Sequence, residues 1–249
     1  VDASPAEVPD PLSELYLDAL SGRTVSPSAL CVACTRVLPV QDASVVSVIS
    51  HGPLELAGAS DGAAAALVEL QLGAGDGPTL EALARGGPVL LGDQGRGVGA
   101  TRWPLLAAAH PEVMAGAVYA LPLQRGAIRL GVLTLRRPDT TPLAATEFAA
   151  VVDAAETVTT VLLLDGVAAA SGTPREHGAW PHGNPLTAEV HQATGMVLAQ
   201  LDVGAREAYL RLRAHAVAEG LPLSEVAHAV LTRTLRFSPE VDQPRTDDP

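Results

Sequence analysis

The spacing of hydrophobic positions changes several times along the chain, and each change marks an element. Leu12, Leu15, Tyr16 and Ala19 recur at helical steps and predict a short opening helix. Ser26-Pro27 is a cap followed by a proline at the first helical position, so a second helix is expected from there to about Leu38. Two strand-like runs come next, Ala43 to Ser50 and Leu54 to Ala59, joined by His51-Gly52-Pro53 in a hairpin pattern. Ala63 to Leu72 reads as a helix or helical turn. The glycine-rich stretch Gly73 to Asp93 reads as a turn, a short helix and a strand at Val89 to Leu91. After a loop, Val118 to Leu123 and Ile128 to Leu135 form two more strand patterns around Arg125-Gly126. A long helix is expected from Thr141-Pro142 to Asp165, stopping at Gly166. Strands mixed with helices, without regular alternation, indicate an α+β domain over residues 12–165.

Residues 166–185 have the composition of a linker, with Trp180 inside it. The pattern then becomes wholly helical over residues 186–237. Val190, Ala193, Val197 and Leu201 make one stripe. Ala208, Leu212 and Ala216, with Tyr209 beside them, make a second; Leu223, Val226, Ala227, Val230 and Leu231 make a third. Gly204 and Gly220 fall at the joins, with Gly220 where a left-handed helix end is wanted, and Ser224 is expected to cap the third helix. Three short helices form a small all-α bundle, marginal by itself.

Composition narrows the possible functions. All 16 basic side chains are arginine and there is no lysine, which rules out a P-loop phosphate site and Schiff-base catalysis. It also argues against a phospho-accepting receiver domain, which is expected to carry one. Two cysteines cannot build a disulfide framework. No apolar run has the length of a membrane span and no signal-peptide pattern opens the chain, so a cytoplasmic protein is expected. The formal net charge is −12, unevenly placed. Residues 1–170 balance to −9, residues 184–237 to zero, and the tail from Ser238 to −3. That tail, 238–249, is expected to be disordered. The bundle is the least acidic part, so a nucleic-acid site there must be a local cluster of arginines.

Particular words in the sequence go further. Ala193-Thr194-Gly195-Met196 is followed by E-A-Y-x-x-L-R at Glu207 to Arg213, by His215-Ala216, and by L-S-E-V-A-H-A-V. This run, within Leu186 to Phe237, resembles the ANTAR domain, the RNA-binding module of bacterial transcription antiterminators. The resemblance implies binding to paired stem-loops in nascent RNA. Where many members of that family carry a lysine, this chain has Thr194, which removes one phosphate contact. Upstream, G-x-G-D-G-P-x-L-x-A-L-x-x-G-x-P-V from Gly73, then A-L-P-L and I-R-L-G-V-L-T-L, resemble a GAF domain. That implies a central antiparallel sheet with helices on one face and a ligand pocket on the other; the ligand is not identified. The combined expectation is a GAF-like sensor at 12–165 controlling an ANTAR-like bundle at 186–237.

Candidate chemistry can be weighed residue by residue. Cys31 and Cys34 form a C-x-x-C more than a turn inside a helix, which favours packing over redox chemistry. The glycines from Gly73 to Gly77 read as a structural turn. The seven histidines have no metal spacing, and no catalytic constellation or cofactor site is apparent. Arg206 and Arg213 are two turns apart and share a face of the second C-terminal helix, with Arg211 on another. Arginine suits phosphate and stacks on unpaired bases. His191 and His215 are candidates for stacking on a base, and Ala193 and Gly195 are small enough for close approach. The RNA-binding set is therefore His191, Thr194, Gly195, Arg206, Arg211, Arg213 and His215. Excess apolar positions on the long helix (Phe148, Val151, Val152, Ala155, Val158, Val161, Leu162) predict a homodimer interface shared with the opening helix. Two alternatives stand beside this reading: a helix-turn-helix DNA-binding domain reading with His228, Thr232 and Arg233, or a sensor whose bundle binds a protein.

Overall fold

The computed structural model describes residues 10–48, 54–92, 99, 101–109, 116–170 and 185–238. The chain divides into two compact units, Val1–Asn184 and Pro185–Pro249. Trp180, the hairpin tip at 51–53 and the acidic tail beyond Ser238 lie outside the described residues.

The first unit opens with α1 (Pro11–Leu20) and α2 (Pro27–Val37). Both start on a side-chain cap followed by proline. Asp10 accepts from the Leu12 and Ser13 amides, and Ser26 accepts from the Ala29 amide. Such caps are each worth about 1 kcal/mol. Strands β1 (Asp42–Val48), β2 (Leu54–Ala59), β3 (Val89–Leu91), β4 (Ala117–Arg125) and β5 (Ile128–Arg137) form one antiparallel sheet in the order β2-β1-β5-β4-β3. Between β2 and β3 lie α3 (Gly62–Ala74) and α4 (Pro78–Arg85). A helix α5 (Pro104–Ala109) occupies part of the stretch expected to be loop.

Helices cover both faces of the sheet, not one. On one side α1, α2 and α6 (Ala145–Ala170) pack on Ala43, Val45, Tyr119, Leu121, Leu133 and Leu135. On the other, Leu67 of α3, Ala82 of α4, Trp103 just before α5 and Leu106 of α5 pack on Val89, Leu91, Val118, Ala120 and Val132. This explains why β1, β4 and β5 are buried in continuous runs, where a half-exposed sheet would alternate. Helix α6 begins at Ala145, later than the Thr141-Pro142 start expected from sequence, and runs through Gly166 to Ala170. A single glycine in a helix interior costs only about 1 kcal/mol, too little to end one. Most of its apolar excess is used inside the unit. Val151, Ala155, Val158, Val161 and Leu162 are all buried, against α1, α2 and the sheet.

Polar groups tie these layers. Arg136 donates from Nε (2.8 Å) and Nη2 (2.6 Å) to Oδ2 of buried Asp42, linking β1 to β5. The Gln71 side chain of α3 accepts from the Thr79 amide at 2.8 Å, and the Thr79 hydroxyl meets that of Thr134 at 2.9 Å. Gly77 makes this possible. Its φ of 132° suits glycine alone, and a methyl group there would strike the Gln71 side chain. The glycine-rich stretch is thus a structural turn. Cys31 and Cys34 are buried, unbridged and packed between α2 and the sheet.

Candidate nucleic-acid interface

The second unit contains α7 (Pro185–Leu201), α8 (Ala205–Glu219) and α9 (Leu223–Leu231). The three stripes seen in the sequence meet in one core: Ala193 and Val197 of α7, Ala208, Leu212 and Ala216 of α8, Leu223, Val226, Ala227 and Val230 of α9. Small residues on α7 and α8 let the helices approach closely. Gly220 ends α8 at φ 65°, with the Leu221 amide donating to the Ala216 carbonyl at 2.9 Å. The α7–α8 join has a different device: Asp202 takes the left-handed conformation (φ 54°) and Gly204 is extended. Ser224 does not cap α9. Pro222 is the N-cap and Ser224 lies inside the first turn, because proline at 222 fixes the extended entry by itself.

The predicted positions lie on α7 and on two different flanks of α8. On α7, His191 and Gly195 are exposed and one turn apart. Nothing lies within 4 Å of where a Cβ would sit at Gly195, so no internal packing requires glycine there. Ala193 is fully buried, and its smallness serves the core. Thr194 is half-buried and its hydroxyl donates to the Val190 carbonyl at 2.7 Å, bonding back into its own helix.

On α8, Arg211 and Arg213 are about 200° apart around the axis, at 3.6 residues per turn. Arg211 donates to Glu207 at 3.2 Å, one turn earlier, which offsets its charge locally. Arg213 lies beside Tyr209, whose phenol burial pushes up and the guanidinium partly draws back. Of Arg206 the backbone is helical; its side chain lies outside the described residues. His215 is half-buried and meets the Phe237 ring edge-on, with centroids 5.6 Å apart and planes at 71°. That contact occupies part of a ring expected to stack on a base.

The exposed polar side chains of α9 include Glu225 and His228. His228 Nδ1 lies 3.7 Å from Glu189 of α7. Thr232 and Arg233, counted with the third helix in the sequence reading, fall after its end. A helix carrying an acidic side chain and a histidine toward carboxylate is poorly equipped to read a DNA groove.

Sequence patterns missed the segment that follows α9. Thr232 donates to the His228 carbonyl at 2.8 Å and Thr234 to that of Ala229 at 3.0 Å. The chain reverses at Arg233, a non-glycine residue at φ 62°. Leu235 and Phe237 return to the core, and the Phe237 amide donates to Gln200 Oε1 of α7 at 2.9 Å. No glycine marks the reversal, so the usual signal was absent.

Among the described residues no cluster of histidine, cysteine or acidic side chains is arranged to hold a metal ion, and no helix is long and apolar enough to cross a membrane.

Comparison with known proteins agrees with the helical geometry. Residues 187–231 match the family model of the ANTAR domain. No curated protein matches the chain. Among solved structures, the chain is similar to the GAF domain of an Acinetobacter phosphoenolpyruvate-protein phosphotransferase (14% identity, 66% of this chain and 96% of that one, TM-score 0.44). It is similar to the corresponding GAF domain from Coxiella burnetii (18%, 66% and 98%, TM-score 0.45). A type II free methionine-R-sulfoxide reductase from Thermoplasma acidophilum is also similar (14%, 60% and 94%, TM-score 0.39). The chain therefore carries an ANTAR domain at residues 187–231, behind a unit built on a five-stranded antiparallel sheet.

Proposed function

We propose that this chain is a signal-responsive transcription antitermination regulator that binds RNA stem-loops through α7–α9. The match of residues 187–231 to the ANTAR domain carries the proposal. The geometry adds two supports. Gly195 leaves an open surface on α7 with no packing reason for it, and Arg213 has no carboxylate partner among the described residues. We assign RNA contact to His191, Thr194, Gly195, Arg206, Arg213 and His215, with Arg211 released from Glu207 on binding. Phosphate contacts position the protein, and bases in the loops are read by stacking and edge hydrogen bonds. No covalent chemistry is invoked, and no cofactor.

In this reading the chain is a cytoplasmic homodimer. The first unit receives the signal, a small-molecule ligand of unassigned identity, and α6 conveys it toward the bundle. The exposed apolar side chains of α1 and α6 (Leu17, Leu20, Phe148 and Val167) support a dimer surface there. Two protomers would present two bundles to paired stem-loops.

The test is binding of the full chain to a synthetic RNA with two stem-loops, across a salt series, for wild type, Arg213→Gln and Arg206→Gln. Affinity should fall with salt, and each variant should bind more weakly with a shallower slope. A well-folded chain that fails to bind at low salt would shift the reading to a bundle that binds protein. Light scattering that gives a monomer at micromolar concentration would remove the dimer.

A further inference from the structure

We propose that the segment after α9, residues 232–238, is a second phosphate-contacting element of the RNA interface, with Arg233 and Arg236 as its contact groups. The inference rests on the RNA-binding reading above and extends it beyond the ANTAR match, which ends at 231.

The segment is built, not loose. Two threonine hydroxyls hold it to the last carbonyls of α9, and Leu235 and Phe237 anchor it in the core of the bundle. Phe237 touches His215 of α8 and bonds Gln200 of α7, so the segment is fixed against both helices that carry the assigned RNA contacts. Arg236 lies between two core-packed residues and is exposed, as alternation in an extended stretch requires.

Arg233 is the more telling residue. It occupies the left-handed region at φ 62°, where glycine is the residue of least strain. Of the other helices of this unit, α8 ends in that conformation on Gly220 and α7 on Asp202, whose short polar side chain tolerates it better than a long one. A glycine at 233 would serve the fold better, so the arginine is kept for its side chain, which is exposed. Helix-end electrostatics favour a cation there, but only weakly in salt. The segment contains no acidic residue, and among the described residues no carboxylate pairs with Arg233 or Arg236. Arg211, by contrast, already has Glu207. Two guanidinium groups held on an ordered backbone, without counter-charges among the described residues, suit the phosphates of a nucleic-acid backbone.

The experiment compares wild type, Arg233→Gly and Arg236→Gln as full chains, using the two-stem-loop RNA across a salt series together with thermal unfolding. Arg233→Gly should unfold at a higher temperature yet bind more weakly, by about five- to eight-fold at 0.1 M salt for one lost phosphate contact. Its salt slope should be shallower by roughly 0.7–0.9. Arg236→Gln needs no special backbone and should show the same loss without a stability gain. A purely structural role predicts changed stability with unchanged binding. Wild-type affinity and slope in both variants would overturn this inference and leave the RNA-binding reading standing. A wild-type chain that fails to bind at low salt would overturn both.

Discussion

Glu81 offers the most exacting test of how the first unit is held together. Its carboxylate accepts from Arg102 Nε at 2.7 Å and from Arg102 Nη2, from Arg85 Nη1 at 2.8 Å and from Trp103 Nε1 at 3.0 Å. The Arg102 guanidinium also lies 5.1 Å from the Trp103 ring centre. Asp76 completes the attachment by accepting from the Leu105 and Leu106 amides. Together they hold Trp103 and Leu106 on the sheet. Trp103 is only 2% exposed, so its N–H has no easy access to water once Glu81 is gone. Glu81→Ala therefore leaves a buried donor unpaired, at a cost of about 1–3 kcal/mol. The ion pairs lie nearer the surface and add about 0–1 kcal/mol. The total is roughly 1–4 kcal/mol, most of it from the indole. Urea unfolding followed by far-UV circular dichroism, in a double-mutant cycle with Trp103→Phe, isolates that part. Phenylalanine has no N–H to strand, so Glu81→Ala should cost about 1–2 kcal/mol less in the Trp103→Phe background. Equal costs in both backgrounds would refute the reasoning. The Arg102 hydrogen bonds, chiefly, hold the Glu81 carboxyl below its ordinary value of 4.5. Its contribution is thus present above that value and is lost as pH falls through the lower folded-state value.

Gly131 of β5 faces the Val46 carbonyl so closely that a methyl group would overlap it. Gly131→Ala should cost about 3 kcal/mol or more, read as a lower urea midpoint, because backbone in the middle of a sheet cannot move aside. The Cys31 and Cys34 thiols are pushed up by burial, Cys34 to about 12. Native protein should therefore resist aromatic disulfide reagents at pH 8, while urea-unfolded chain reacts at both positions. Because the folded state keeps these protons, stability should be present below the ordinary thiol value of 9.0 and decline as pH rises past it. Leu212 is completely buried at the centre of the bundle. Leu212→Ala should cost about 2–5 kcal/mol, enough to melt a unit this small, and should appear as lost helical signal and lost RNA binding together.

Much of this was legible in the sequence. Stripes at three and four residues predicted α7, α8 and α9 and their core, because in so small a bundle each helix has one apolar face and it must turn inward. Proline after a capping side chain marked α2, and β-rich runs marked the sheet, because these signals act within a few residues. The word pattern from Ala193 to Val230 identified the ANTAR domain without any geometry.

Other features depend on residues far apart in the chain, and only the tertiary structure decided them. Which helices cover each face of the sheet depends on contacts between segments distant in the chain. Helix α6 passes through Gly166 because one glycine costs a helix too little to end it. Arg211 with Glu207 and Arg213 with Tyr209 are one-turn neighbours that spacing places together, but the contact of His215 with Phe237 depends on a segment that returns from beyond α9. The reversal at Arg233 was invisible because its stabilising contacts reach back to α9 and across to α7 and α8. A pattern read along the chain records what each residue prefers; which preference yields is settled by the neighbours that folding supplies.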